Sequence, residues 1–182
     1  MYIYAVKKVK GRTMNKIFSL LLVVVFLGAC STNKDRDTFT EAEAKYNAKK
    51  YEEALADYKL IVEEYPTSDF ALKSLMKIGS MYQMFLVPNV ETQESNKKAV
   101  EYYRELYKNF PNSEDAPKAL LMAGFILANN LNKLDEAKIT YQTFLDKYPK
   151  HELAAPIKLE LDNLGKTPEE ILQNKLSSAN RN

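Results

Sequence analysis

The side chains that most often support catalysis or bind metals are scarce in this sequence. Cys30 and His151 are the only cysteine and the only histidine among 182 residues. One thiol and one imidazole cannot form an intrachain disulfide, nor a cysteine- and histidine-based zinc site. His151 lies in the turn after Pro149, where a role at a helix start or in solvent is far more common than one as a general base.

Acidic pairs such as Glu52–Glu53 lie among lysines on helical segments, which is typical of solvated faces. No glycine-rich phosphate-binding loop occurs. We therefore predict that the chain is not an enzyme and that it binds no metal and no cofactor.

Cys30 ends an apolar segment near the N-terminus. Lys16 precedes an uncharged run from Ile17 to Cys30, which is shorter than the ~20 apolar residues that span a bilayer but suits the apolar part of a signal peptide. The tetrapeptide LGAC that ends at Cys30 resembles the lipobox of bacterial lipoproteins, in which the thiol receives diacylglycerol and the chain is cut just before it. The resemblance implies a signal peptide over residues 1–29 and a Cys30 that bears acyl chains such as palmitate. The alternative is that Cys30 merely closes an ordinary signal peptide.

Two neighbouring features refine this expectation. The segment MNKIFSLLL makes Met14 an alternative start to Met1, because it already has the charge and length of a complete signal. Ser31 follows the cysteine, whereas an aspartate at that place marks inner-membrane retention in the best-studied lipoproteins. The resemblance therefore implies attachment to the outer membrane at its periplasmic face. Each buried methylene contributes about 0.8 kcal/mol, so stable anchoring needs more than one acyl chain. Residues 30–38 are predicted to form the lipidated cysteine and a polar tether.

Charge is distributed unevenly along the chain. The formal net charge is +2, yet all five charged residues in the first 29 positions are basic, which leaves a small acidic excess in the remainder. A nearly neutral, slightly acidic body has no electrostatic basis for binding nucleic acid, so we expect no nucleic-acid partner.

Pro66, Pro111 and Pro149 each end one copy of a repeat. An alanine lies twelve positions before each proline and a tyrosine lies eight positions before it. A large apolar residue lies five positions before each proline, and an aromatic residue immediately precedes it. These residues are Ala54, Tyr58, Ile61 and Tyr65, then Ala99, Tyr103, Leu106 and Phe110, then Ala137, Tyr141, Phe144 and Tyr148. The small residue permits close helix approach, the tyrosine and apolar residue share a helix face, and the aromatic–proline pair stops the helix. Gly79 and Gly124, each 13 residues after a proline, indicate contacts between two helices.

These offsets resemble the tetratricopeptide repeat, a helix-turn-helix unit with small residues at the interhelix contact. The resemblance implies an all-α solenoid of about three helical hairpins plus C-terminal capping helices, with a repeat domain over residues 39–176 and a disordered tail over 177–182. We predict the helix pairs 37–49/51–65, 69–87/96–110 and 114–130/133–148. The first copy is the weakest, because Ala42 takes the glycine position and Lys45 the tyrosine position.

Segments between and after the repeats have predicted roles of their own. Ser68 and Ser113 are predicted N-caps of the helices that follow them. The segment LVPNVETQESN, residues 86–96, is predicted to be a loop that is either functional or simply tolerated. A helix after Pro149 is predicted to cover the end of the stack with one apolar face, and residues 167–170 have the form of a capping box. The apolar face consists of Leu153, Ile157, Leu161 and Leu164.

In tetratricopeptide arrays the first helix of each hairpin lines a concave groove. The family's groove positions can be transferred by aligning its glycine with Gly79 and Gly124, and with Ala42 in the first copy. This glycine alignment implies nine partner-binding residues: Phe39, Glu43, Tyr46, Met76, Ser80, Gln83, Leu121, Phe125 and Asn129. Relatives that grip a peptide carboxylate use lysine and asparagine at such positions. Here Met76/Ser80 and Leu121/Phe125 replace them, so the mixed apolar groove suits an extended segment or an amphipathic helix. The alternative is that these residues only pack between repeats.

The lipobox, the tether and the repeats together resemble the outer membrane protein assembly factor BamD family, periplasmic lipoproteins that bind other components of β-barrel assembly. That family has five repeats, whereas this chain has three plus caps. The repeats are also similar to the C-terminal domain of CpoB proteins, which are Tol-associated and lack a lipobox. The resemblance implies a lipid-anchored scaffold for envelope proteins, with β-barrel assembly as its leading role. Alternatives are a cell-division adaptor associated with Tol-Pal, an envelope enzyme or a hydrolase-activating accessory factor acting on peptidoglycan, or a structural lipoprotein whose groove is filled by residues 167–182.

Overall fold

The computed structural model describes residues 34–179. The expectations for the signal peptide, for Cys30 and for the choice between Met1 and Met14 lie outside the described residues. The part that the structure describes is all-helical, and no β-strand occurs in it. Its helices are α1 (Lys34–Asn47), α2 (Tyr51–Glu64), α3 (Asp69–Gln83), α4 (Thr92–Asn109), α5 (Ala116–Asn129), α6 (Leu134–Lys147), α7 (Ala154–Asn163) and α8 (Pro168–Ala179). The predicted all-α repeat fold is confirmed, with hairpins α1/α2, α3/α4 and α5/α6 followed by α7 and α8.

Each hairpin closes where a buried tyrosine of the second helix meets a small residue of the first. The Tyr103 ring lies so close to Gly79 that a Cβ on the glycine would be 2.7 Å from Cε1. The corresponding distance from Gly124 to Tyr141 is 2.4 Å. In the first copy Ala42 and Tyr58 belong to the same buried core. The interhelix contacts predicted at the two glycines are therefore present.

The ends of α3 and α4 differ from the prediction. Helix α3 ends at Gln83, four residues before the predicted end, because Phe85 adopts a left-handed conformation (φ 56°) and the Leu86 N–H donates to the Met81 carbonyl oxygen at 3.0 Å. Helix α4 begins at Thr92, four residues before the predicted start. Its extra turn is fixed by the buried Ser95 hydroxyl, which donates to the Tyr82 carbonyl oxygen at 2.6 Å. Almost half of the predicted loop is thus helical.

Three other predicted boundaries change. Residues 34–38, expected in the tether, form the start of α1, and residues 177–179, expected in the tail, belong to α8. Helix α5 begins at Ala116 with Asp115 as its N-cap, so Ser113 is not the cap. The Ser113 hydroxyl instead accepts from the Ala116 N–H at 3.2 Å and stabilises the preceding turn.

The remaining predicted caps are confirmed. The Ser68 side chain accepts from the Ala71 N–H at 3.0 Å. At the start of α8 the Thr167 N–H donates to the Glu170 carboxylate at 2.7 Å, and the Glu170 N–H donates to the Thr167 hydroxyl at 3.2 Å, which is a reciprocal capping box.

Helix α7 covers the end of the stack as predicted. Ile157 is fully buried in a small core with Leu120, Tyr141 and Phe144. Leu153, Leu161 and Leu164 pack around the same core and are partly buried. None of the helices in residues 34–179 is long and apolar enough to cross a membrane.

Candidate functional site: the groove of the first helices

The first helices of the hairpins, α1, α3 and α5, meet one another and continue into α7. The rings of Phe39 (α1) and Phe70 (α3) lie 5.4 Å apart between centroids. Gln83 (α3) reaches the Met122 sulfur (α5), with its Nε2 at 3.8 Å. Residues from α5 and α7 line a common cleft, described below. We call the solvent-facing surface of these four helices the groove.

All nine predicted groove residues lie on α1, α3 or α5, and none is fully buried. Phe125, with 46% of its surface exposed, and Asn129 are the most accessible. The other seven are partly buried: Phe39, Glu43, Tyr46, Met76, Ser80, Gln83 and Leu121. The structure therefore places the predicted set on the first helices, at positions that solvent reaches at least in part.

Glu43 and Tyr46 contact other helices at the α1 end of the groove. The Tyr58 hydroxyl of α2 donates to the Glu43 carboxylate. Lys77 of α3 lies 2.8 Å from the same carboxylate and 5.0 Å from the centre of the Tyr46 ring. Burial alone would raise the pKa of Glu43, but the hydrogen bonds from Lys77 and Tyr58 outweigh it and lower the pKa. These two residues attach α1 to its neighbours.

The polar residues of α3 and α5 also bond within the protein. The Tyr103 hydroxyl donates to the Gln83 side-chain oxygen at 2.7 Å. The Ser80 hydroxyl lies 3.5 Å from the Met84 sulfur, and the Asn129 amide donates to the Phe125 carbonyl oxygen at 3.0 Å. The surface that remains for a partner is therefore mainly apolar in the middle of the groove.

The groove ends in a cleft of about 430 Å³ between α5, α7 and the start of α8. Its polar lining includes Asn129, Asn163 and Glu160, and Ile171 of α8 adds an apolar wall. The Tyr141 ring is buried nearby, and its pKa is raised to about 12 by burial, with a further contribution from the Glu160 carboxylate. The C-terminal helix thus borders the groove end.

Leu159 of α7 is a groove residue that was not predicted from the sequence. One apolar side chain lies ten residues after each repeat proline: Met76, Leu121 and Leu159. Leu159 is 53% exposed, and this shared offset was the signal that could have identified it. Phe39 lies three residues before Ala42, just as Met76 and Leu121 lie three residues before the glycines of their repeats. We call Phe39, Met76, Leu121 and Leu159 the apolar row.

The described residues contain no arrangement suited to metal binding. In residues 34–179 no three histidine, cysteine, aspartate or glutamate side chains lie close enough together to bind an ion. His151 Nδ1 accepts from the Leu153 N–H at 3.1 Å, and its ring packs against Phe144 at 5.7 Å, so the histidine lies at the start of α7 as expected.

Comparison with known families agrees with this architecture. A family model described as tetratricopeptide repeat matches residues 39–68, 73–113 and 118–151, which together make up more than half of the chain. No curated protein sequence matches the chain significantly. The three matched segments correspond to the three hairpins, each including the proline that follows its second helix. The chain therefore belongs to the tetratricopeptide repeat family.

Proposed function

We propose that this chain is a lipid-anchored periplasmic scaffold that binds protein partners in its groove and takes part in the assembly of outer-membrane β-barrel proteins. Domains of this family generally bind protein partners and are generally non-enzymatic. The observation that supports binding in the groove is its apolar surface, where Phe125 lies exposed beside Leu121 and Met122. A contiguous apolar surface of this kind is typical of grooves that receive an extended segment or an amphipathic helix.

The partner is tested by co-purification from solubilised cell envelopes. The variant Leu121→Glu/Phe125→Glu places two charges in the groove and should lose the partner while remaining folded, since neither side chain is fully buried. Ile139→Glu is the matched control, because Ile139 is 67% exposed on α6, a second helix. Retention of the partner by Leu121→Glu/Phe125→Glu would refute binding through the groove.

The specific role depends on which proteins are recovered. Recovery of the barrel-assembly core supports the proposal. Recovery of Tol-Pal or cell-division proteins without that core would overturn the assembly role and favour the alternative, an adaptor for those systems. The chain matches three repeats, whereas the assembly-factor family that it resembles has five.

The anchor is supported by the lipobox-like tetrapeptide that ends at Cys30. Metabolic labelling with a palmitate analogue should label the wild-type chain, and Cys30→Ala should remain an unlabelled precursor. Ser31→Ala is the control and should be labelled as the wild type is. Continued labelling of the Cys30→Ala chain would refute lipidation at this residue.

A further inference from the structure

Three basic residues occupy the same position on successive first helices. Arg36, Lys73 and Lys118 each lie six residues before the small residue of their repeat, and all three are exposed. We call them the cation row. Lys73 and Lys118 also lie seven residues after a repeat proline. On α7 the residue seven positions after Pro149 is Pro156, which carries no charge, so the row ends at α5.

The cation row runs beside the apolar row. Each basic residue precedes an apolar-row residue by three positions, and side chains three apart are neighbours on a helix surface. The position of Lys73 shows this directly, because its Nζ lies 5.0 Å from the centre of the Phe70 ring and Phe70 contacts Phe39. An occupant of the apolar row would therefore meet cations along one edge.

Carboxylates of the chain neutralise this edge only weakly. Arg36 lies 3.4 Å from Asp37 and Lys118 lies 3.5 Å from Asp115, and both basic side chains are more than half exposed, where such pairs contribute little. Lys73 forms no ion pair with any described residue. Asp69 lies in the first turn of α3 and Glu114 lies just before α5, and at both places the helix dipole favours negative charge. The cations thus keep their capacity to attract a partner's carboxylates.

We propose that the groove selects an amphipathic segment whose apolar side chains contact Phe39, Met76 and Leu121 and whose carboxylates face Arg36, Lys73 and Lys118. This inference rests on the proposed function, because it presupposes that the groove binds a protein segment. Charge complementarity along one edge sets the orientation of such a segment and rejects segments of the opposite charge.

The test uses three synthetic peptides of about 18 residues, which as helices would extend about 27 Å along the groove. They share one leucine pattern and carry glutamate, glutamine or lysine along one flank. Fluorescence anisotropy should show that the glutamate peptide binds about tenfold more tightly than the glutamine peptide and that the lysine peptide binds most weakly. The difference should shrink as salt rises from ~0.05 to ~0.5 M, because screening acts on exposed charges.

Charge reversal identifies the residues responsible. The variant Arg36→Glu/Lys73→Glu/Lys118→Glu should invert the order of the three peptides, and the glutamine version of the same variant should abolish the preference. Lys108→Glu/Lys138→Glu is the control, because both lysines are exposed on the second helices α4 and α6, and it should keep the wild-type order. Thermal melting of each variant verifies that it is folded.

Two outcomes would overturn the inference and remain distinguishable from failure of the proposed function. Equal binding of all three peptides would show that the groove binds segments without charge selection, which leaves the proposed function intact. Binding of none of them would also contradict the inference, and the envelope co-purification with Leu121→Glu/Phe125→Glu then decides separately whether the groove binds protein.

Discussion

Three tyrosines occupy one repeat position, yet their hydroxyl groups have different surroundings. The Tyr58 hydroxyl donates to Glu43 and the Tyr103 hydroxyl donates to Gln83. The Tyr141 hydroxyl is buried and has no hydrogen-bond partner among the described residues. Gln83 lies four residues after Gly79, and the equivalent position four residues after Gly124 is Ala128. The third copy therefore lacks the side-chain amide that accepts the tyrosine hydrogen bond in the second copy. What the copies share is the packing of the ring against a small residue.

The hydroxyl groups should therefore differ in their contribution to stability. We expect Tyr103→Phe to lower the free energy of unfolding by about 1 kcal/mol, because one hydrogen bond is lost. Tyr141→Phe should be neutral or slightly stabilising, because it removes a buried polar group that lacks a partner. Urea unfolding of the two variants measures the difference, and equal losses would contradict it. Ala128→Gln, which supplies the missing amide, should make Tyr141→Phe costly.

The small residues beneath these rings give a second prediction at this scale. A methyl group at Gly79 or Gly124 overlaps the tyrosine ring, at 2.7 and 2.4 Å respectively, so Gly79→Ala and Gly124→Ala should destabilise the protein even though alanine favours helix. We expect a loss of about 1–3 kcal/mol, larger at Gly124, as for other overpacked sites. Urea unfolding provides the measurement. Ser80→Ala, one residue after Gly79, is the control and should change stability by less than about 0.5 kcal/mol. A stabilising Gly124→Ala would show that the ring moves freely.

At the scale of elements, α1 is attached to its neighbours by polar contacts of Glu43 and Lys45 and by apolar contacts. Glu43 joins Tyr58 of α2 and Lys77 of α3, and Lys45 of α1 lies 2.5 Å from Asp57 of α2. Apolar contacts complete the attachment, because Phe39 packs against Tyr58 and Phe70. The attachment of α1 therefore depends in part on the ionisation of Glu43.

This dependence predicts how stability changes with pH. The pKa of Glu43 is lowered from 4.5 in the folded protein, so its stabilising contribution is fully present above the unfolded value and is lost as pH falls through the folded value. Glu43→Gln should destabilise the protein near neutral pH, and its deficit relative to wild type should shrink below pH 4.5. Urea midpoints from about pH 7 to about pH 3 test this. Glu41→Gln is the control, with the same change of charge at an exposed site of α1, and parallel profiles for wild type and Glu43→Gln would contradict the prediction.

Helices and their order could be predicted from sequence because their signals are local. The aromatic–proline pairs and the Ser68 cap act within a few residues, and the structure confirms both. The boundary between α3 and α4 could not be predicted, because it depends on the contact of Ser95 with the Tyr82 carbonyl and on the burial of Val87, which are tertiary. The glycine alignment placed the predicted groove residues on the first helices α1, α3 and α5. It could not show that Glu43 and Gln83 bond internally, and it missed Leu159 because α7 lacks the glycine used for the alignment.

At the scale of the whole molecule, the described helices form a stack in which neighbours contact neighbours. The strongest contacts join α2 to α3, α3 to α4, α4 to α5, α5 to α6 and α6 to α7. The main core extends through α1–α6, and a second, smaller core joins α5, α6 and α7. In such an arrangement stability is the sum of repeat terms and nearest-neighbour interfaces, so damage at one end should spread only as far as the adjoining interface.

A mutation in the second, smaller core tests whether destabilisation stays confined to the adjoining helices. Ile157 is fully buried there, and Ile157→Ala should cost about 2–5 kcal/mol through lost burial and the cavity left behind. Hydrogen exchange read by mass spectrometry should show faster exchange in α7 and α6, while amides of α2 and α3 keep the wild-type rate. Leu159→Ala in the same helix is the control, since that side chain is 53% exposed and its loss should leave exchange unchanged. If α2 and α3 lost protection as much as α6, the repeats would unfold as one cooperative unit. Confinement to α6 and α7 would instead mean that the α5/α7 end of the groove can open while the α1/α3 end keeps its shape.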